Sequence, residues 1–297
     1  MKFVERVKQF NNFEPDGFMP FVHNDECIGF MRFDFVEKLK VYPDIFSISG
    51  QSVQLHNALK GYKQITATLL ELGNSLVESG DVKYLLDEPY PVKNTAFETL
   101  FELDRALVAY FGFRSYGQHL NGFVRRDEQL FLWIARRSLD RRIFPGKLDN
   151  LVAGGLPHGL SLKENLQKEC LEEAGMQPDI ASRAILVSAL TYNAMNEKGY
   201  KPDTLYCYDI ELSEEFVPEN TDGEVAGFEL MPVEEVKDKI MEGGLFKPNC
   251  ELVIMDFFCR HGLMDGETGE FLQLQQALRA PFKFDEVNIE SNNETAN

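Results

Sequence analysis

The sequence predicts an α/β protein in two parts: a smaller α+β domain over residues 1–112 and a larger α/β domain over 113–265. A C-terminal helix and polar tail over 266–297 complete the chain. Three observations carry this reading. Apolar residues of the first part recur at helical spacing beside a strand-like run. After Gly112, short apolar segments alternate with polar ones, and a helix with both ends marked lies among them.

Taken in order, Phe3, Val4, Val7 and Phe10 have the spacing of an amphipathic helix, and residues 27–35 read as a strand interrupted by Gly29. Residues 65–77 and 97–110 carry the apolar stripes of two more helices. His23 and His56 have no metal-ligating partner at useful spacing and read as surface or core residues. Residues 116–135 alternate as strands, with Arg125-Arg126-Asp127-Glu128 as a hairpin turn. A loop rich in Arg, Gly and Pro leads to a helix over 162–174. Residues 188–210 again read as strands, turned by Asn196-Glu197-Lys198-Gly199, and 233–241 and 251–261 as closing helices. Beyond Phe282 the chain turns polar and is expected to fray.

Composition narrows the function. The 297 residues suffice for a substantial core, and the net charge of −18 opposes binding along a nucleic-acid backbone. A small phosphorylated ligand remains compatible, since one local basic pocket can hold it. The five cysteines are odd in number, scattered and never in a CxxC pair, as expected of reduced thiols in a cytoplasmic protein. MKFVERVKQF lacks the apolar stretch of a signal peptide, and no apolar run reaches the roughly 20 residues of a membrane span. No membrane partner is expected, and the sequence leaves monomer and homodimer open.

The chemistry is concentrated in AGGLPHGLSLKENLQKECLEEAGM, residues 153–176. Gly154, Gly155 and Gly159 permit a tight loop whose backbone approaches a ligand closely. Ser161 and Glu164 form a capping box that starts the helix at Leu162, and Gly175 marks its end. Leu162, Leu166, Cys170 and Ala174 form one apolar stripe. Glu169, Glu172 and Glu173 occupy an arc that borders and overlaps this stripe. Three carboxylates crowded beside a core repel one another and resist ionisation, and a divalent cation removes that penalty. A solvated acidic helix face is the plainer alternative on the glutamates alone.

The order glycine loop, capped helix, Lys168-Glu169-Cys170-Leu171-Glu172-Glu173-Ala174-Gly175-Met176 resembles the signature of the Nudix hydrolases. Gly154 falls on its opening glycine, and Glu169, Glu172, Glu173 and Gly175 on its closing positions. Two positions depart: Lys168 stands in place of an arginine, and Leu160 in place of the first glutamate. Further segments, Trp133 to Ser138, Phe144 to Gly155, Asp222 to Val225 and Phe246 to Cys250, are similar to one subfamily. Its members carry an extra N-terminal domain, and some fungi fuse the unit to thiamine pyrophosphokinase.

The resemblance implies an α/β/α sandwich, Mg²⁺ or Mn²⁺ held by Glu169, Glu172 and Glu173, and hydrolysis of thiamine diphosphate or its oxidised analogues to the monophosphate. It also implies a later acidic residue acting as base or extra ligand, for which Glu224 is the first candidate and Glu229 the second, with one of Glu169, Glu172 and Glu173 as the alternative base. Phosphate contacts are expected from the basic segment 125–147, above all Arg136 and Arg137, together with the Gly154-Gly155 backbone. His119 reads as structural and His158 as a loop filler; Trp133 and Tyr192 are core residues unless they stack on a heterocycle. The expected partner is a small organic diphosphate, and the N-terminal domain is expected to select it. A nucleotide-sugar or dinucleotide diphosphatase and a silent diphosphate-binding module are the alternatives.

Overall fold

A computed structural model describes residues 2–286; Lys283–Glu286 form a short 3₁₀ turn, and the rest of the polar tail expected to fray lies outside the described residues. The chain runs through α1 (Phe3–Phe10), β1 (Phe18–His23), β2 (Glu26–Arg32), α2 (Phe33–Leu39), β3 (Phe46–Ile48), β4 (Val53–Leu55), α3 (Gly61–Glu78), β5 (Pro89–Lys93), β6 (Thr99–Asp104) and α4 (Val108–Phe111). It continues with β7 (Ser115–Arg126), β8 (Gln129–Arg137), β9 (Leu148–Asp149), β10 (Val152–Gly155), α5 (Leu162–Ala174), α6 (Pro178–Ala181), β11 (Ile185–Met195) and β12 (Tyr200–Glu211). β13 (Val225–Pro232), α7 (Val233–Glu242), α8 (Pro248–Arg260) and α9 (Gly269–Ala277) follow.

These elements form two units that interleave along the sequence. One takes the residues up to 11, 116–192 and 204–280; the other takes 12–115, 193–203 and the described residues from 281. A single boundary near Gly112 was expected. The difference arises because α1 and the tip of the β11–β12 hairpin each join the unit that a linear reading assigns elsewhere.

The smaller unit has a four-stranded sheet in the order β2-β1-β4-β3 and a separate β5-β6 hairpin. Its core gathers Phe21, Met31, Phe35, Leu69, Leu72 and Phe101. Two expectations are corrected here. The strand expected over 27–35 ends at Arg32, and Phe33 begins a helix. The helix expected over 97–110 is strand β6 followed by the single turn α4. Phe101 and Leu103 are buried on alternate positions and β6 pairs with β5, so the two-residue period of a strand prevails. Gly29 has a packing reason, since a Cβ there would lie 2.6 Å from the Phe111 carbonyl oxygen.

The larger unit holds a seven-stranded sheet. Its main path is β11-β12-β7-β8-β13, with β10 paired to β7 and β9 to β8. Alternation along β7 gives the sheet two apolar faces. Leu120 and Val124 pack with Leu166, Cys170 and Ala174 of α5, while Phe123 meets Phe257 of α8 at 5.5 Å on the other side. The layers are therefore α/β/α, as the resemblance implied. The expected hairpin turn forms between β7 and β8, with Asp127 at φ 52°.

Candidate active site

Local chemistry fixes α5. The Ser161 hydroxyl accepts from the Glu164 backbone N–H at 3.2 Å, and the Glu164 carboxylate accepts from the Ser161 N–H at 3.0 Å. Gly175 closes the helix at φ 61°, where a Cβ would meet the Glu219 carbonyl oxygen at 2.8 Å. The last carbonyls of α5 are then used to hold a loop. Ala174 O accepts from Glu219 N–H and Glu172 O from Thr221 N–H, both at 3.1 Å. This loop leads to Glu224.

The three helix glutamates sit in different surroundings. Glu173 is buried and accepts from the Ala153 N–H at 2.8 Å. Burial pushes its carboxyl well above the ordinary 4.5; that hydrogen bond opposes the rise, and the charges of Asp149 and Glu169 add to it. Glu169, with 17% of its side chain exposed, lies against Gly154, where a Cβ would stand 2.5 Å from the carboxyl carbon. Burial raises Glu169 too; Lys168 opposes, while Glu172 and Glu224 push it further. Glu172 is the most open of the three and pairs with Lys168 at 2.5 Å.

Glu224 thus joins the cluster through its charge on Glu169. Its carboxylate pairs with Arg141, and its carbonyl accepts from Ser138 N–H at 2.9 Å. Glu229 is exposed on β13, opposite Ile134. Gly155 contributes its carbonyl, which accepts from the Asn165 side chain at 2.9 Å.

The two arginines favoured from sequence have protein partners of their own. Arg137 pairs with buried Asp149 at 3.0 Å and donates to the Ile143 carbonyl at 3.2 Å. Its charge is used to hold the fold. Arg136 is exposed and lines a different pocket with Lys147 and Lys239. Trp133 packs against the α5 core, and strand alternation sends Arg136 to the opposite face of the sheet.

Sequence reasoning missed the network behind Glu173. Asp149 accepts from Arg137 at 3.0 Å, from Lys247 at 3.2 Å and from the Cys250 thiol at 2.5 Å. Burial alone would raise Asp149, but the charge of Lys247, with that of His119 and Arg137, holds it below 3.8. No spacing in the chain links residues 149 and 247; the sole signal was the similarity of the segment from Phe246 to Cys250. His119, Asp149 and Cys250 also place potential ligand atoms within 4.8 Å of one another. Asp149 already has two cationic partners, so a third positive charge there would be repelled.

The glutamate cluster has the opposite balance. Its donors are all oxygens, two carboxyls resist ionisation, and the cations paired with it, Lys168 on Glu172 and Arg141 on Glu224, sit on its more exposed members. Such a set suits a hard divalent cation.

Residues 118–248 match a family model described as the NUDIX domain, and residues 2–115 one described as a domain of unknown function (DUF4743). The chain is 43% identical over 272 residues to Nudix hydrolase 20, chloroplastic, of Arabidopsis thaliana, covering 88% of this chain and 73% of that protein. To Nudix hydrolase 24, chloroplastic, of the same plant it is 42% identical over 282 residues, covering 93% and 77%. Among solved structures, the NUDIX domain of Shewanella oneidensis NrtR complexed with ADP ribose is 17% identical. That likeness covers 52% of this chain and 91% of that chain at a TM-score of 0.39. Among the described residues, no helix is long and apolar enough to cross a membrane.

Proposed function

Because this chain belongs to the Nudix hydrolase family and is thus a hydrolase of diphosphate linkages, we propose that Glu169, Glu172 and Glu173 hold Mg²⁺ or Mn²⁺ and that the substrate is thiamine diphosphate or an oxidised analogue. The observation that carries the metal reading is the strained ionisation of Glu169 and Glu173, one seated on Gly154 and the other on the Ala153 N–H. The substrate reading rests on the subfamily segments, including Phe246 to Cys250.

A cation bound there supplies charge neutralisation at the diphosphate and makes a water more acidic. The chain does the rest. Glu224, on a loop held to the end of α5, takes the proton from the attacking water. Water oxygen bonds to phosphorus, the bridging P–O bond breaks, and a monophosphate and inorganic phosphate leave. The absent side chain at Gly154 leaves room for the Glu169 carboxyl, and the Gly154-Gly155 backbone borders the diphosphate. Lys168 neutralises part of the cluster through Glu172. The cytoplasm, as a reducing compartment, fits the five buried cysteines, none in a disulfide.

Substrate loss and monophosphate formation, separated by anion-exchange chromatography, are to be measured on thiamine diphosphate, oxidised thiamine diphosphate, nucleotide sugars and dinucleotides, each with Mg²⁺, Mn²⁺ or chelator. The expected result is metal-dependent turnover with the thiamine compounds preferred by about tenfold or more. Preference for a nucleotide sugar or dinucleotide would overturn the substrate, and undiminished rates in chelator the metal site.

A further inference from the structure

We propose that the larger unit carries a second anion site, separate from the glutamates, which binds a small phosphate dianion in the pocket formed by Arg136, Lys147 and Lys239. The cavity measures about 240 Å³. That is room for a phosphoryl group with a short organic tail, and less than the roughly 300 Å³ at which pockets for larger ligands begin.

Three features favour an anion there. The first is charge: three cations converge in a chain whose net charge is −18, so the pocket reverses the sign of the average surface. The acids that face them are few. Glu235 lies 3.3 Å from Lys239, and the Lys147 charge reaches Glu251, whose carboxylate is already paired with Arg6 at 2.7 Å.

The second is the way the cations are held. Arg136 donates to the Gly146 carbonyl at 3.2 Å and Lys147 to the Gly244 carbonyl. Each uses one donor on the wall of the pocket, and the remaining N–H groups are available to a ligand. The guanidinium fork matches two phosphate oxygens, while the ammonium groups act as point charges.

The third is the wall itself. Gly146 and Gly244 have φ of 70° and 75°, a left-handed conformation that glycine adopts without strain, and both lie at the pocket. The site lies on the sheet face opposite α5 and needs no metal. Its occupancy therefore does not depend on the glutamates.

The test is calorimetric titration of the full chain in chelator, with inorganic phosphate in one arm and glycerol phosphate in the other. Binding is expected in at least one arm. Binding of both identifies a phosphate ester as an acceptable ligand; binding of inorganic phosphate alone identifies the free ion. The affinity should fall about tenfold or more in the Arg136→Ala/Lys239→Ala double variant and stay unchanged in Glu172→Gln. Neither replaced side chain is buried, and circular dichroism checks that the fold persists. No binding in either arm, equal affinity in the double variant, or loss of binding in Glu172→Gln would overturn the site. A chain that binds phosphate here but hydrolyses nothing would contradict the proposed function and leave this inference standing.

Discussion

Gly154 and Glu173 show how single residues set the chemistry. A methyl group on Gly154 would stand 2.5 Å from the Glu169 carboxyl carbon, closer than two such atoms can approach. The glutamate is the flexible partner, so Gly154→Ala should displace the carboxylate and leave the fold in place. Turnover is expected to drop about 100-fold, since displacing a catalytic group by about 1 Å costs that much. Steady-state kinetics with circular dichroism would test this, and a rate near that of the parent would show that Glu169 has no fixed task. Glu173→Gln makes a two-sided prediction. The amide oxygen still accepts from Ala153 N–H, so the fold persists, while the metal-binding charge is lost. Activity should fall about 1,000-fold, yet the metal-free protein should melt at a higher temperature near neutral pH, because burial disfavours the charged carboxylate that the unfolded chain carries there. A lower melting temperature would mean that the charge is already compensated.

At the scale of elements, α5 was the most legible part of the chain because its start and stop are local events. A serine three residues before a glutamate and a glycine after the last turn specify the helix without reference to anything distant. Ser161→Ala should therefore cost about 1 kcal/mol, and a melting temperature unchanged by it would show that the cap is redundant. Strand β6 was misread for the opposite reason. Over 97–110 the apolar residues satisfy both periods, and pairing with β5 decides between them. The same limit hid the direction of Arg136. Its position at a strand end was readable, but which face it points to depends on Trp133 packing toward α5. The salt bridges of Asp149 with Arg137 and Lys247 join residues 12 and 98 positions apart, and only the folded sheet brings them together.

For the molecule as a whole, net charge and metal binding must be separated, because both make stability depend on added salt. The chain carries −18, and any electrolyte relieves its self-repulsion. Specific binding has a different pH signature. Glu169 and Glu173 lie above their ordinary 4.5 in the folded chain. The folded state thus holds their protons more tightly than the unfolded chain does, and this advantage is complete below 4.5. It is lost as pH rises through the folded values, where the buried carboxyls must ionise. A cation bound by the ionised carboxylates competes with those protons, so it stabilises little near pH 5 and most near pH 8. At 100 times its dissociation constant the cation should add about 2.7 kcal/mol. For a unit of this size, that corresponds to roughly 5–10 °C in melting temperature. Melting curves in Mg²⁺, and in NaCl of equal ionic strength, should therefore diverge at about pH 8 and converge at about pH 5. In a Glu169→Gln/Glu173→Gln double variant the two salts should act alike at both pH values. An equal Mg²⁺ gain in that variant, or an equal gain from NaCl, would assign the stabilisation to the overall negative charge and remove the cation from these glutamates.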